Sequence, residues 1–362
     1  MADAAKFDKN MASARGDGEG CVWLDVPHAP IQVRGLGFFE AENAWNRLPE
    51  ALLPVLRDKR PALVELARHT AGASLDFVTD SPEVWVRAQV DAPPYMSHMT
   101  AAAQCGCDCY VRVPGGDWAF AGVTKFPVAD RSFCCRLAEH LVPHTQVRIH
   151  LPLYIGVQSV EVGLAPGAQL QPPPAFSRRG VAFYGTSITQ GGCASHPGMA
   201  YPALLSRMLD APCYNLGFSG NGVGMPDLAG AICALPDLGA LVVDIEANAA
   251  PEGLLEQNLP RFLDAVRAYA PQLPVLVLSA TARPASLWNG TIAAEAEKNA
   301  AVQHQEVEKR RAAGDRQIFF ADGRALLGAA GAEATVDGSH LTDLGFYVLA
   351  QNLAPLLERM LG

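Results

Sequence analysis

The amino-acid sequence predicts a two-part protein, an antiparallel β-sandwich of jelly-roll type followed by a three-layer α/β domain on a parallel sheet. Three observations carry this expectation. At 362 residues the chain exceeds one ordinary domain. Its first half carries short strand-like runs separated by turn residues. Its second half alternates uninterrupted apolar runs with helical patterns, as in a parallel sheet covered on both faces.

Residues 1–19 are polar and rich in Gly and Ala, and they lack the apolar stretch of a secretory signal. They are expected to form a disordered leader, and the chain is expected to be cytoplasmic. Residues 20–170 hold the sandwich. Its many short strand-like runs include Ile31–Val33, Ser74–Val78, Val84–Val90, Cys107–Val113, Gln146–His150 and Gln158–Val162. The stretch SLDFVTDSPEVWVRAQV alternates around Asp80-Ser81-Pro82, which predicts an antiparallel hairpin. PALVELARHTAG reads as a short helix or strand entry closed by Gly72.

Pro172 to Pro174 form an extended, semi-rigid run that cannot sit inside a sheet, so 171–179 is the expected linker. Residues 180–362 then read as the α/β domain. Strands are expected at Val181–Tyr184, Cys213–Leu216, Leu241–Ile245, Val275–Leu278 and Ile318–Ala321. Helices are expected near Tyr201–Leu209, Leu254–Ala270, Ala293–Ala313 and Thr342–Leu361. The order βαβαβαβαβα is doubly wound, and such sheets place their sites beyond the C-terminal strand ends.

Composition narrows the function. The chain is 49% apolar and 18% charged, enough for a sizeable core. The net charge of −9, with no basic stripe, argues against nucleic acid and favours neutral or cationic small molecules. No apolar run approaches the roughly 20 residues of a membrane span. Nine cysteines, an odd number in a long chain, do not suggest a disulfide framework. In a strand, Cys105, Cys107 and Cys109 would share a face. Even with Cys134 and Cys135 their spacing is wrong for zinc and no His is close, so they are expected to pack as small hydrophobes. No dinucleotide fingerprint, phosphate loop or His-Glu-x-x-His occurs, and no cofactor or metal is expected.

The chemistry-bearing residues fall just past the strand ends. Gly185-Thr186-Ser187 follows the first strand of the second half, and a Gly-rich turn containing Gly220 follows the next. Asn248 comes after the third, and Asp337-Gly338-Ser339-His340 precedes the last helix. A serine hydroxyl needs a base to become a nucleophile. His340 can take its proton, and Asp337 can hold the imidazole. The Ser187 N–H, the Gly220 N–H and the Asn248 amide could converge on a carbonyl oxygen. Each has a plainer reading: Ser187 as a helix cap, Asn248 as a turn residue, Gly220 as a loop glycine and His340 as a capping residue. Asp343 reads as a first-turn acid of the last helix. His196, Tyr201, Arg283 and Trp288 are candidate pocket residues. Asp108 and Tyr110 are expected to be structural.

On FYGTSITQG, NLGFSGNG, DIEAN and DGSHLTDLG, the second half resembles the GDSL/SGNH hydrolases. Gly106-Cys107-Asp108-Cys109-Tyr110 is similar to the Gly-x-Asp-Leu-Tyr signature of a β-sandwich that precedes such domains in one branch. Thr186 stands where the family has Asp, Cys109 where it has Leu, and Glu246 and Ala249 where it has Gly and Asp around Asn248. The resemblance implies a flavodoxin-like SGNH hydrolase domain with a Ser187–His340–Asp337 triad. It also implies an oxyanion hole of Ser187, Gly220 and Asn248. The expected activity is hydrolysis of short acyl esters, acetyl above all, with a small-molecule or carbohydrate ester as substrate and a carbohydrate O-deacetylase as the leading form. Two alternatives stand beside it: an acyltransferase using the same acyl-enzyme, and a carbohydrate-binding or oligomerisation protein with a dormant hydrolase domain. A homo-oligomer stays open.

Overall fold

The computed structural model describes residues 6–8, 12 and 17–362. Most of the expected leader lies outside the described residues. The first half forms two antiparallel sheets. The strands are β1 (Val22–Asp25), β2 (Gln32–Arg34), β3 (Ser74–Thr79), β4 (Glu83–Val90), β5 (Asp108–Arg112), β6 (Ala119–Val123), β7 (Ser132–Glu139), β8 (Thr145–His150), β9 (Val157–Leu164) and β10 (Leu170–Gln171). One sheet has the order β1-β9-β4-β7. The other runs β10-β3-β8-β5-β6, with β2 also on β3. The architecture is the β-sandwich expected from the spacing of short strands.

The expected Ser74–Val90 hairpin does not form, because β3 and β4 belong to different sheets. Side-chain bonding turns the 80–82 segment into a corner. The Ser81 hydroxyl donates to the Glu83 carbonyl at 2.6 Å and accepts the Ala165 N–H at 3.0 Å. Asp80 accepts the Gln169 N–H at 2.7 Å. β3 therefore pairs with β8, and β4 with β7 and β9. The cysteines are also divided differently. Cys105 ends a short helix, Ala101–Cys105, instead of extending the face of Cys107 and Cys109. Burial pushes the Cys105 thiol up to about 12 and raises Cys107 and Cys109 further, so all three are neutral core groups.

The second half contains β11 (Gly180–Gly185), β12 (Cys213–Gly217), β13 (Leu238–Asp244), β14 (Val275–Leu278) and β15 (Ile318–Ala321). All neighbours are parallel, in the order β12-β11-β13-β14-β15. Counted within this half the order is 2-1-3-4-5, the flavodoxin-like arrangement, with its switch point between β11 and β13. β11 to β14 are buried along their whole length, which is why β11, β13 and β14 read as largely apolar runs, while β12 carries the buried, hydrogen-bonded Asn215. Helices Tyr201–Leu209, Leu255–Tyr269, Gly290–Ala312 and Asp343–Leu361 flank the sheet. No helix among the described residues is long and apolar enough to cross a membrane.

The chain divides into two units, but not at one boundary. The first unit takes the residues up to Arg34, Arg68–Ala175 and Ser195–Gly198; the second takes Gly35–Ala67, Phe176–Ala194 and Met199–Gly362. The excursion at 35–67 has a physical cause. Leu48, Leu56 and Leu63 are fully buried and join the apolar cluster of Leu216, Phe218, Leu228, Val243 and Phe262. Each such leucine contributes roughly 1.5–3 kcal/mol by leaving water. Arg47 is buried with them: its guanidinium lies over the Phe218 ring at 4.6 Å and donates to the carbonyls of Leu66, Asn215 and Gly217.

Candidate active site

Two strand ends meet at the switch point. At the end of β11, Thr186 is extended, and its Oγ1 accepts the Ile188 N–H at 3.3 Å. Thr186, and not Ser187, is therefore the cap of the four-residue helix Ser187–Gln190. Ser187 is 8% exposed, and its Oγ lies 2.8 Å from His340 Nε2.

His340 sits on a loop closed at its base. Thr335 pairs with Leu341, the Val336 N–H donates to the His340 carbonyl at 2.8 Å, and the Thr342 N–H donates to the Ala334 carbonyl at 2.8 Å. Ala334 and Leu341 are fully buried anchors. Asp337 accepts the N–H groups of Ser339 and His340 at 2.9 and 2.8 Å through Oδ1, and its Oδ2 lies 2.7 Å from His340 Nδ1. Partial burial would raise this carboxyl, but the His340 and Ser339 bonds outweigh it and hold it down at about 2. An ionised Asp337 is acceptor-only, so Nδ1 carries the proton and Nε2 is left to accept from Ser187. Thr342 caps the last helix through the Gly345 N–H at 3.3 Å, and Asp343 lies in that helix's first turn.

Asn248 lies in the short helix Glu246–Ala249, just past β13. Its Oδ1 accepts the Gly222 N–H at 3.2 Å, which leaves Nδ2 as the donating arm of the amide. Gly220 precedes this contact in the turn after β12. Its φ of 67° lies in the left-handed region that favours glycine, although a Cβ there would meet nothing within 4 Å. Glu246 stands where the resembled family has Gly. It accepts the Ala280 N–H at 2.8 Å and the Gln303 side chain at 2.7 Å, tying the loop after β13 to the one after β14. Burial raises its carboxyl above the usual range.

Sequence reasoning missed Arg60. It donates to the Gly220 carbonyl at 2.9 Å and to Asn221 Oδ1 at 2.7 Å, and it pairs with Glu252 at 2.6 Å. No local motif marks it, because it comes from the 35–67 excursion.

The four candidate pocket residues separate. Arg283 lines a cleft of about 410 Å³ beyond β13 and β14, together with Glu246, Thr281 and Asn299. Trp288 follows the turn Pro284–Leu287 and is 75% exposed, outside that lining. Tyr201 is a correction: it is fully buried, edge-on to Phe183, with its hydroxyl 3.0 Å from Thr189 Oγ1, so it is a core residue. His196 belongs to the first unit. There its ring stacks on Tyr110, with Nε2 3.2 Å from the Tyr110 hydroxyl and Nδ1 2.7 Å from Ser195 Oγ. Asp108 accepts the Gly198 N–H, so the Gly106–Tyr110 signature anchors residues 195–198 within that unit, the structural role expected of it.

Two family profiles match the chain. The profile of the GDSL-like lipase/acylhydrolase family matches residues 178–358. The GxDLY profile, describing the N-terminus of SGNH-hydro-type esterases, matches residues 21–170. No curated protein sequence gives a significant match. Among solved structures, a GDSL-like lipase candidate from Bacteroides ovatus is 27% identical. It covers 94% of this chain and 98% of its own, with a TM-score of 0.84. A salicylyl-acyltransferase from a tetracycline biosynthetic pathway is 20% identical over 96% of this chain and all of its own, at 0.75. A family two carbohydrate esterase from Cellvibrio japonicus is 15% identical over 94% and 98%, at 0.58. The chain belongs to the GDSL-like lipase/acylhydrolase family and is an SGNH-type hydrolase of ester bonds.

Proposed function

We propose that the protein is a serine esterase that removes short acyl groups, acetyl above all, through an acyl-enzyme on Ser187. The observation that carries this reading is the unbroken relay of Ser187 Oγ, His340 and Asp337 at 2.8 and 2.7 Å. Ser187 attacks the acyl carbonyl while its proton passes to His340 Nε2. Asp337 holds Nδ1–H and stabilises the imidazolium. The backbone N–H groups of Ser187 and Gly220 and the Asn248 Nδ2 take the oxyanion, each donor lowering the barrier by about 3–4 kcal/mol. His340 then protonates the departing alcohol. Water activated by the same imidazole releases the acid and restores Ser187.

Within that chemistry, a carbohydrate O-deacetylase is the favoured form. A carbohydrate esterase of the same fold, from Clostridium thermocellum, is known in complex with cellohexaose. The second reading is an acyltransferase, favoured by the structural likeness to the salicylyl-acyltransferase.

Turnover of p-nitrophenyl acetate tests the core claim. Wild type should hydrolyse it and Ser187→Ala should not; equal activity in both would refute the assignment. Adding a competing alcohol separates the two forms, since an acyltransferase would divert the acyl group into a new ester.

A further inference from the structure

One buried carboxyl takes no part in the chemistry proposed above. Asp244 ends β13 and is 4% exposed. Its Oδ2 accepts the Thr189 hydroxyl at 2.8 Å, and Thr189 Oγ1 lies 3.0 Å from the hydroxyl of the fully buried Tyr201. The three groups form a chain of O–H bonds running from Tyr201 through Thr189 to Asp244, and such chains polarise and strengthen one another in a low-dielectric interior.

Thr189 belongs to the helix Ser187–Gln190. Four residues are far too few for a helix to hold its own shape, so outside contacts must set the geometry of Ser187. They come from both neighbours of β11. On the β12 side, the Asn215 amide donates to the Thr189 carbonyl at 2.9 Å, and Gln190 Oε1 accepts the Ser219 N–H at 2.9 Å. On the β13 side, the contact is Asp244. Gly185 makes room for it: a Cβ there would lie 2.1 Å from Thr189 Oγ1 and 2.7 Å from the Asp244 carbonyl oxygen. The missing side chain in Tyr184-Gly185-Thr186 is the space that the Thr189 hydroxyl enters.

A carboxyl at this depth is costly. Burial pushes it up to about 7 even though the Thr189 bond pulls it down, and the neighbouring Glu246 charge raises it further. We propose that Asp244 is a positioning residue which, acting through the Thr189 hydroxyl, fixes the turn that presents Ser187 to His340. The proposal rests on Ser187 being the nucleophile.

The test pairs each disruptive variant with one that keeps the hydrogen bond. Thr189→Val removes the hydroxyl at nearly constant shape, whereas Thr189→Ser keeps it. Asp244→Leu removes the acceptor, whereas Asp244→Asn keeps a carbonyl oxygen. The readouts are the rate of covalent labelling of Ser187 by a fluorophosphonate, followed by intact mass, and kcat and KM on p-nitrophenyl acetate. Thermal unfolding reports the folded fraction.

Labelling and kcat should fall about 10-fold or more in the Val and Leu variants, with KM within about 2-fold. The Ser and Asn variants should stay within about 3-fold of wild type. Unchanged labelling per folded molecule in the Val and Leu variants would overturn the proposal, as would equal losses in Asn and Leu. Should Asp244→Leu fail to fold, Thr189→Ala judged against Thr189→Ser decides on the same readouts. A wild type that never labels would sink the Ser187 assignment and this proposal with it. A wild type that labels beside unaffected variants sinks this proposal alone.

Discussion

Asp337 and Asp244 are chemically the same group, driven in opposite directions by their surroundings. Asp337 is held at about 2 and Asp244 pushed to about 7. For Asp337 the folded value lies below the unfolded one near 3.8, so its contribution to stability is present above that pH and is lost as the pH falls toward 2. Asp244 behaves in reverse: its contribution is present in acid and is lost as the pH rises from about 4 toward 7. The melting temperature of wild type should therefore decline across that upper window relative to Asp244→Asn, which has nothing to ionise. Parallel melting curves for the two proteins from pH 4 to 8 would refute the burial argument. Asp337→Asn should leave the fold intact while kcat on p-nitrophenyl acetate drops on the order of 10³–10⁴-fold, because the amide no longer enforces the productive tautomer. The two aspartates also differ in legibility. Asp337 stands three residues before His340 on a turn, a spacing readable in one dimension. Asp244 looks like the polar end of an apolar strand, and nothing local tells that Thr189 and Tyr201 converge on it.

Among the elements, β11, β13 and β14 were legible because burial on both faces writes a largely apolar run into the chain. β6 gives only a weak strand signal, because it is largely exposed and lacks polar–apolar alternation. The β3–β4 hairpin was misread for a different reason. Its alternation was real in β4, but Ser81 and Asp80 bond to the β9–β10 region instead of closing a two-strand turn. The turn after β12 carries the sharpest prediction at this scale. Arg60 clamps Gly220 and Asn221, so Arg60→Ala should let the Gly220 N–H wander from its position. With Gly220 as an oxyanion donor, kcat should fall by roughly 10- to 100-fold, a part of the 10²–10³ that a lost donor costs. Steady-state kinetics with KM measured alongside checks this; a change confined to KM would remove Gly220 from the oxyanion site.

For the molecule as a whole, composition and rhythm foretold two architectures in the right order, but not that the chain crosses between units repeatedly. The 35–67 excursion was illegible because its helices, Phe39–Glu42, Leu53–Lys59 and Ala62–Leu66, are short and carry no signal of which core they complete. Leu56→Ala should destabilise the α/β unit by about 2–5 kcal/mol through the cavity it leaves. Hydrogen exchange in β11 to β13 should rise accordingly; an effect confined to the sandwich strands would contradict the placement of Leu56. The excursion also bears on how the chain is born. Leu48, Leu56 and Leu63 leave the ribosome well before β11, β12 and β13 exist to receive them. Their apolar faces must wait uncovered while more than a hundred further residues are translated, roughly ten seconds or more at ordinary rates. A nascent chain stalled in that interval would present a greasy loop to chaperones, and a gene trimmed to begin after the triple proline would encode a sheet missing part of its own lining.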